Sequence, residues 1–153
     1  MINSTDTNAN LIVNLTALEK NYCTLKKEIP SAELGAVVKS NAYGLGIKEI
    51  ALVLFRLGCI KFFVATLDEG IELRQILPKA KIFIFHGAPS GAEGELIANT
   101  LIPVLNSIEQ IENWLPYSNY AAALHIDTGM SRLGLTPKEC SKLDYLNSFN
   151  IEL

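Results

Sequence analysis

Five apolar runs set the beat of this chain. They are "GAVV" (35–38), "FFVATL" (62–67), "KIFIFHG" (81–87), "LIPVL" (101–105) and "AALHID" (122–127). Their centres at Val37, Val64, Ile84, Val104 and Leu124 are separated by 27, 20, 20 and 20 residues. One β-strand, one helix and two short loops take about 20 residues, so each interval holds one strand–helix unit. Near-continuous apolar strands are those of a parallel sheet covered by helices. The class is α/β, and the even beat favours a (β/α)8 TIM-type barrel over a doubly wound sheet. No G-x-G-x-x-G follows the first strand, and the "GLG" at 44–46 is too short for one. "LIVNL" (11–15) is an earlier strand candidate, and "FNIEL" (149–153) reads as the start of another. A whole barrel takes eight strands and ~250 residues. The expectation is therefore that these 153 residues hold about the first five strand–helix units, cut mid-barrel.

Helix signals fill the intervals. Thr16 and Glu19 form a capping box ahead of Leu18, Tyr22, Leu25 and Ile29 at helical spacing, and Pro30 stops that helix. Ile47, Ile50, Ala51, Leu54 and Leu57 line one face before Gly58. Thr66 with Glu69 and Ser107 with Gln110 are further capping boxes. Thr136-Pro137-Lys138-Glu139 adds proline at the first helical position, and Leu135 is placed to staple onto Cys140.

Composition narrows the function classes. Hydrophobic residues make up 49% and charged ones 19%, which supports a core and argues against disorder. The net charge of −3 comes without a basic stripe, which argues against nucleic acid as a partner. Three scattered cysteines (Cys23, Cys59, Cys140), no CxxC pair and two histidines argue against a disulfide framework or a zinc site. A reducing cytoplasm fits best. The polar "MINSTDTNAN" is no signal peptide, and no apolar run reaches the ~18 residues of a membrane span. Asn3-Ser4-Thr5 and Asn14-Leu15-Thr16 match the glycosylation pattern by chance.

The chemistry centres on "AVVKSNAYGLG" (36–46). In an α/β barrel the active site lies at the C-terminal ends of the strands, and Lys39 stands at such an end. A partly desolvated lysine there attacks a carbonyl to form a Schiff base, the link that holds pyridoxal phosphate in enzymes. The Asn41 side chain and Tyr43 hydroxyl are donors for a phosphate or carboxylate, and Gly44 and Gly46 let the backbone come close. Position alone leaves the other reading open, since a strand-end lysine is usually a solvated charge.

"AVVKSNAYGLG" closely resembles the pyridoxal-phosphate signature of alanine racemases, a valine–lysine–alanine–asparagine–alanine–tyrosine–glycine–histidine–glycine run. "HIDTGMSRLG" (125–134) resembles that family's aspartate–threonine–glycine–methionine–x–arginine–leucine–glycine block. "FVATLDEGIELR" (63–74) and "LIPVLNSIEQI" (101–111) are similar to the same family. The resemblance covers the chain but only the first part of the family's usual length, so residues 1–153 are expected to be the N-terminal part of a pyridoxal-phosphate-binding barrel. Its remaining strands and a C-terminal β domain would lie outside them.

The resemblance implies that Lys39 holds pyridoxal 5'-phosphate and moves the α-proton on one face. It implies that Tyr43 bonds the cofactor phosphate, and that Arg132 contacts the cofactor's phenolic oxygen and positions the substrate carboxylate. It implies interconversion of L- and D-alanine, supplying D-alanine for peptidoglycan, in a homodimer whose second base is a tyrosine from the C-terminal domain of a partner subunit. This chain alone would then be inactive. Alternatives are a non-catalytic remnant, or another barrel racemase or decarboxylase using the same cofactor. Without the second motif Arg132 reads as a surface-loop arginine, while Asp127 and Thr128 read as turn residues. Leu45 replaces the pattern's histidine. His125 stands where many members have a lysine that becomes carbamylated to orient the arginine, and it either supplies a different hydrogen bond or is simply packed. His86 has no motif behind it and reads as structural.

Overall fold

The computed structural model describes residues 10–141, 143 and 149–153. The chain runs α1 (Leu15–Glu28), β1 (Ala36–Val37), α2 (Lys39–Tyr43), α3 (Ile47–Arg56), β2 (Lys61–Val64), α4 (Leu67–Ile76) and β3 (Lys81–Ile84). It continues through α5 (Glu93–Ala98), β4 (Ile102–Leu105), α6 (Ile108–Trp114), β5 (Ala123–Leu124) and α7 (Pro137–Cys140). The strands lie side by side in chain order, every pair parallel, with Phe62 opposite Ile82, Phe83 opposite Ile102 and Val104 opposite Ala123. Parallel neighbours need crossovers, and helices supply them. A doubly wound sheet would reverse its order at a switch point, and this sheet does not. Beside β5 the run at 149–153 continues the sheet: Ile151 bridges Ala122 in parallel, and Leu124 N–H donates to the Leu153 carbonyl at 3.0 Å.

Alternation along the strands divides the core. Phe62, Val64, Ile82, Ile84 and Leu105 face the helices and pack with Leu73, Leu96, Ile111 and Trp114, all fully buried. Phe83, Ile102, Val104 and Ala123 face the other way, joined by Phe63 and Phe85. The helical face expected from residue 47 onward is buried through Ile47, Ile50, Ala51 and Leu54, with Val53 added to it.

The strand ladders are shorter than the apolar runs. Residues 65–66, 85–87 and 125–127 run past them as loops at the C-terminal edge.

Three expectations are corrected. "LIVNL" is not a strand: Leu11 and Ile12 are exposed, and Asn14 is the N-cap of α1, its Oδ1 accepting from Ala17 N–H at 3.0 Å. Asparagine is among the strongest N-caps, so the helix starts before Thr16, which becomes a residue of its first turn. Glu19 bonds Arg56 on α3 at 2.7 Å instead of closing a box. Ser107 does cap α6 through Gln110 N–H at 3.2 Å, but the Gln110 side chain turns to the Asn106 N–H and the His86 carbonyl, so the box is only half made. The boxes at Thr66 and Thr136 form in full, and Leu135 and Cys140 share one apolar cluster. The Asn3–Thr5 glycosylation pattern lies outside the described residues.

Asn14→Ala should lower unfolding stability by about 1 kcal/mol, the usual worth of an N-cap, in a urea titration. Thr16→Ala should cost clearly less, and the reverse ranking would restore Thr16 as the cap.

Candidate active site

A parallel sheet sends every strand's C-terminal end to one edge. Lys39 after β1, Ala65 after β2, Phe85 and His86 after β3, His125 after β5, and Met130, Arg132 and Leu133 from the loop beyond it line one cavity of about 450 Å³ there. Four of these side chains carry nitrogen and none carries a carboxylate. Among the described residues no cluster of histidine, cysteine or acidic side chains could hold a metal ion. No helix among them is long and apolar enough to cross a membrane.

Lys39 is half-buried at the start of α2, with Nζ 6.0 Å from the centroid of the Phe85 ring, within cation–π range. The backbone beyond it is unusual. Ser40, Asn41, Ala42 and Tyr43 all have φ between 53° and 56°, so α2 is one turn of left-handed helix built without glycine. Each such residue costs about 1–2 kcal/mol relative to its right-handed form. Gly44 ends the turn at φ 82°, where nothing lies within 4 Å of a Cβ built on it.

Three contacts hold the turn. Ser40 N–H donates to Glu69 Oε1 at 2.7 Å, Asn41 Oδ1 accepts from Ile47 N–H at 2.7 Å, and Ala42 is buried in the core. The Asn41 amide oxygen is thus engaged with the first turn of α3. Tyr43 is 63% exposed and lies outside the residues lining the cavity.

The far wall is organised by Asn106, the one polar or charged residue that is buried among those described. Its Nδ2 donates to the carbonyls of Phe85 and Val104, both at 2.7 Å. Turning the amide over would set its oxygen against two carbonyl oxygens, so Oδ1 must be the atom 2.7 Å from His125 Nδ1. An oxygen there requires a hydrogen on Nδ1. The neutral His125 ring therefore leaves Nε2 with a free lone pair, and no described residue bonds it. His125 is not merely packed, and His86, expected to be structural, lines the cavity as well.

Asp127 shapes the loop that carries Arg132, as expected of a turn residue. Its carboxylate accepts from Gly129 N–H at 2.9 Å and Ser131 N–H at 3.0 Å. The loop closes where Leu135 N–H donates to the His125 carbonyl and Asp127 N–H to the Leu135 carbonyl. Arg132 is exposed on that loop and faces the same cavity as Lys39.

The chain matches the family described as "Alanine racemase, N-terminal domain" over residues 13–148. It belongs to that family. It is 45% identical to an alanine racemase of Rhodospirillum rubrum over 140 residues, which are 87% of this chain and 37% of that protein. It is 44% identical to a catabolic alanine racemase of Agrobacterium fabrum, over 84% of this chain and 35% of that one. The crystal structure of alanine racemase from Bartonella henselae with covalently bound pyridoxal phosphate superposes with a TM-score of 0.85 at 38% identity, covering 91% of this chain and 42% of that chain. The chain thus spans little more than a third of the curated relatives it matches, and its five parallel strands are the first part of the alanine racemase barrel.

Sequence reasoning placed Lys39 and Arg132 where the cavity is, but missed Phe85, His86, Asn106 and the reach of Glu69. For His86 a signal existed, because it follows its strand as Lys39 follows β1.

Two outcomes test this site. In ¹⁵N NMR spectra of the neutral form, the His125 ring hydrogen should be found on Nδ1; a hydrogen on Nε2 would contradict the Asn106 arrangement. Donation from Gly129 and Ser131 holds the Asp127 carboxyl below its ordinary value. The carboxylate's stabilisation of the loop is therefore complete above the unfolded value of about 3.9 and is lost only as pH falls through the lower folded value. The Gly129 and Ser131 amide shifts should accordingly titrate with a midpoint below about 3.9, and Asp127→Asn should abolish the transition.

Proposed function

We propose that residues 1–153 are the N-terminal barrel portion of a pyridoxal-phosphate-dependent alanine racemase, with Lys39 as the attachment site of the cofactor. The observation that carries this reading is that Lys39 and Arg132, from the two family motifs, face one cavity. The donor set fits the cofactor. An amine, a guanidinium and a lone-pair imidazole surround an acid-free space beside the Phe85 ring. Its volume of about 450 Å³ lies in the usual range for small-molecule sites.

When bound, pyridoxal phosphate supplies an electron sink for the charge left as an α-proton departs. The chain's own residues do the rest. Lys39 Nζ would hold the cofactor and, as a free amine, would take the α-proton from one face or supply one to it, according to the direction of turnover. Phe85 keeps that amine at the cavity wall. Arg132 offers a planar fork of N–H donors that suits a substrate carboxylate and the cofactor's phenolic oxygen. Tyr43 would hydrogen-bond the cofactor phosphate; its support is the motif, since it is exposed and stands outside the cavity lining. Racemisation takes a base on each face, because a single base tends to return the proton to the side it left. The relatives' greater length supports placing the second base outside residues 1–153, and the family resemblance implies that it is a tyrosine from the C-terminal domain of a partner subunit in a homodimer. Its product, D-alanine, would serve the cell wall from the cytoplasm.

The test is conversion of L-alanine to D-alanine by the full-length protein, followed by polarimetry. Lys39→Ala should abolish both turnover and the covalent attachment trapped by borohydride. A Lys39→Ala protein that still traps pyridoxal phosphate would overturn the assignment of Lys39. Release of carbon dioxide without inversion would make the protein a decarboxylase.

A further inference from the structure

Glu69 does more than cap its helix. Oε2 accepts from Ala65 N–H at 2.7 Å and from Thr66 N–H at 3.3 Å, while Thr66 Oγ1 accepts from Glu69 N–H at 3.3 Å, which completes the capping box of α4. The other oxygen, Oε1, reaches across to a different strand end and takes Ser40 N–H at 2.7 Å, 29 residues away in sequence. A capping box has no need of that contact. It joins the segments that leave β1 and β2 through one carboxylate, and both Lys39 and Ala65 line the cavity.

We propose that Glu69 is a positioning residue for Lys39, fixing the direction of its side chain by clamping the peptide on its C-terminal side. The Ser40 N–H and the Lys39 carbonyl belong to one planar peptide, so a bond to the hydrogen orients the Lys39 α-carbon as well. Ser40 is also the first left-handed residue of α2. Within the turn, Ala42 N–H donates to the Val38 carbonyl and Gly44 N–H to the Ser40 carbonyl, each at 2.9 Å. The Ser40 N–H precedes these bonds and is an orphan of the kind every helix start leaves. Glu69 satisfies it and so fixes the plane of the Lys39–Ser40 peptide from which the left-handed turn departs. A strained turn persists where its surroundings over-determine it. Here Glu69 grips the end next to Lys39, while Asn41 and Ile47 grip the other. Without Glu69 that peptide plane is free to turn, and with it the Lys39 ψ and the strained turn that follows.

This inference rests on the reading of Lys39 as the attachment site, and its test separates the two. Glu69→Gln keeps the size of the side chain but replaces one acceptor oxygen by an NH2 group, so either Ser40 or the Ala65–Thr66 pair loses its partner. Thr66→Ala weakens the same helix start and leaves the Ser40 contact intact. Two quantities are measured on the full-length wild type and both variants: amide hydrogen exchange at Ala42 and Gly44, and the rate at which pyridoxal phosphate becomes covalently attached to Lys39, read from borohydride-trapped peptide. Glu69→Gln should speed exchange in the turn and slow attachment by about tenfold or more, as a displaced reacting group does. Thr66→Ala should lower the melting temperature and leave both readouts close to those of the wild type. Wild-type exchange and attachment in Glu69→Gln, or equal losses in Thr66→Ala, would overturn the positioning role. If the wild type itself takes up no pyridoxal phosphate while the exchange difference holds, the functional reading fails and the clamp stands.

Discussion

The site depends on every strand pointing the same way. Parallel strands cannot be joined by tight turns, so each is followed by a helix that returns the chain to the starting edge. The far edge is left to loops. Residues distant in sequence, such as Lys39 after β1, His86 after β3 and His125 after β5, meet there because their strands end at one level. The same regularity builds the floor beneath them. On the face away from the helices Phe63 stacks on Phe83 at 4.7 Å and on Phe85 at 5.5 Å between centroids. Phe85 ends this stack and lies under the Lys39 amine, so the packing of the sheet's inner face continues directly into the site.

Against that regular frame stands one deliberate irregularity. Val38, 1% exposed, anchors the end of β1 in the core, and the four residues from Ser40 to Tyr43 would extend the strand or begin an ordinary helix if propensity ruled. They wind left-handed instead. The conformation is more costly than either alternative, and its compensation is external: a carboxylate from α4, the first N–H of α3, and the burial of the Ala42 methyl. Strain of this kind, held by surrounding elements, is what local sequence preference cannot specify. Ser-Asn-Ala-Tyr has no intrinsic reason to be left-handed, and Asn41 is its only member that visits that region readily.

That difference explains what was legible in the sequence. The strand–helix beat was, because burial on both faces of a parallel sheet leaves continuous apolar runs at fixed intervals. Thr66 and Thr136 were legible as caps because their partners lie three residues on. Thr16 misled because Asn14, two residues earlier, takes the cap, and Glu19 then answers to Arg56, remote in sequence and invisible to a local pattern. Glu69 was legible as a cap and not as a clamp for the same reason, its second oxygen answering to Ser40 across the fold. Asn106 carries no motif at all. Its importance comes from burial and from two carbonyls that force its amide into one orientation, and both are facts of tertiary structure.

The Asn106–His125 pair also bears on how the cavity handles charge. A carbamylated lysine, which the family pattern sets at this position in many members, would bring a negative charge beside the arginine. His125 cannot form a carbamate, and its Nδ1 is engaged with Asn106, so it brings no negative charge to the cavity. No carboxylate lines the cavity to replace that charge, and the nearby Asp127 is engaged with Gly129 and Ser131. Lys39 and Arg132 therefore face the space without an acidic side chain among its lining residues. An opposite charge that arrives with a ligand is attracted most where the protein supplies none of its own. On these grounds the cavity, as it is lined, favours an anionic ligand between Lys39 and Arg132.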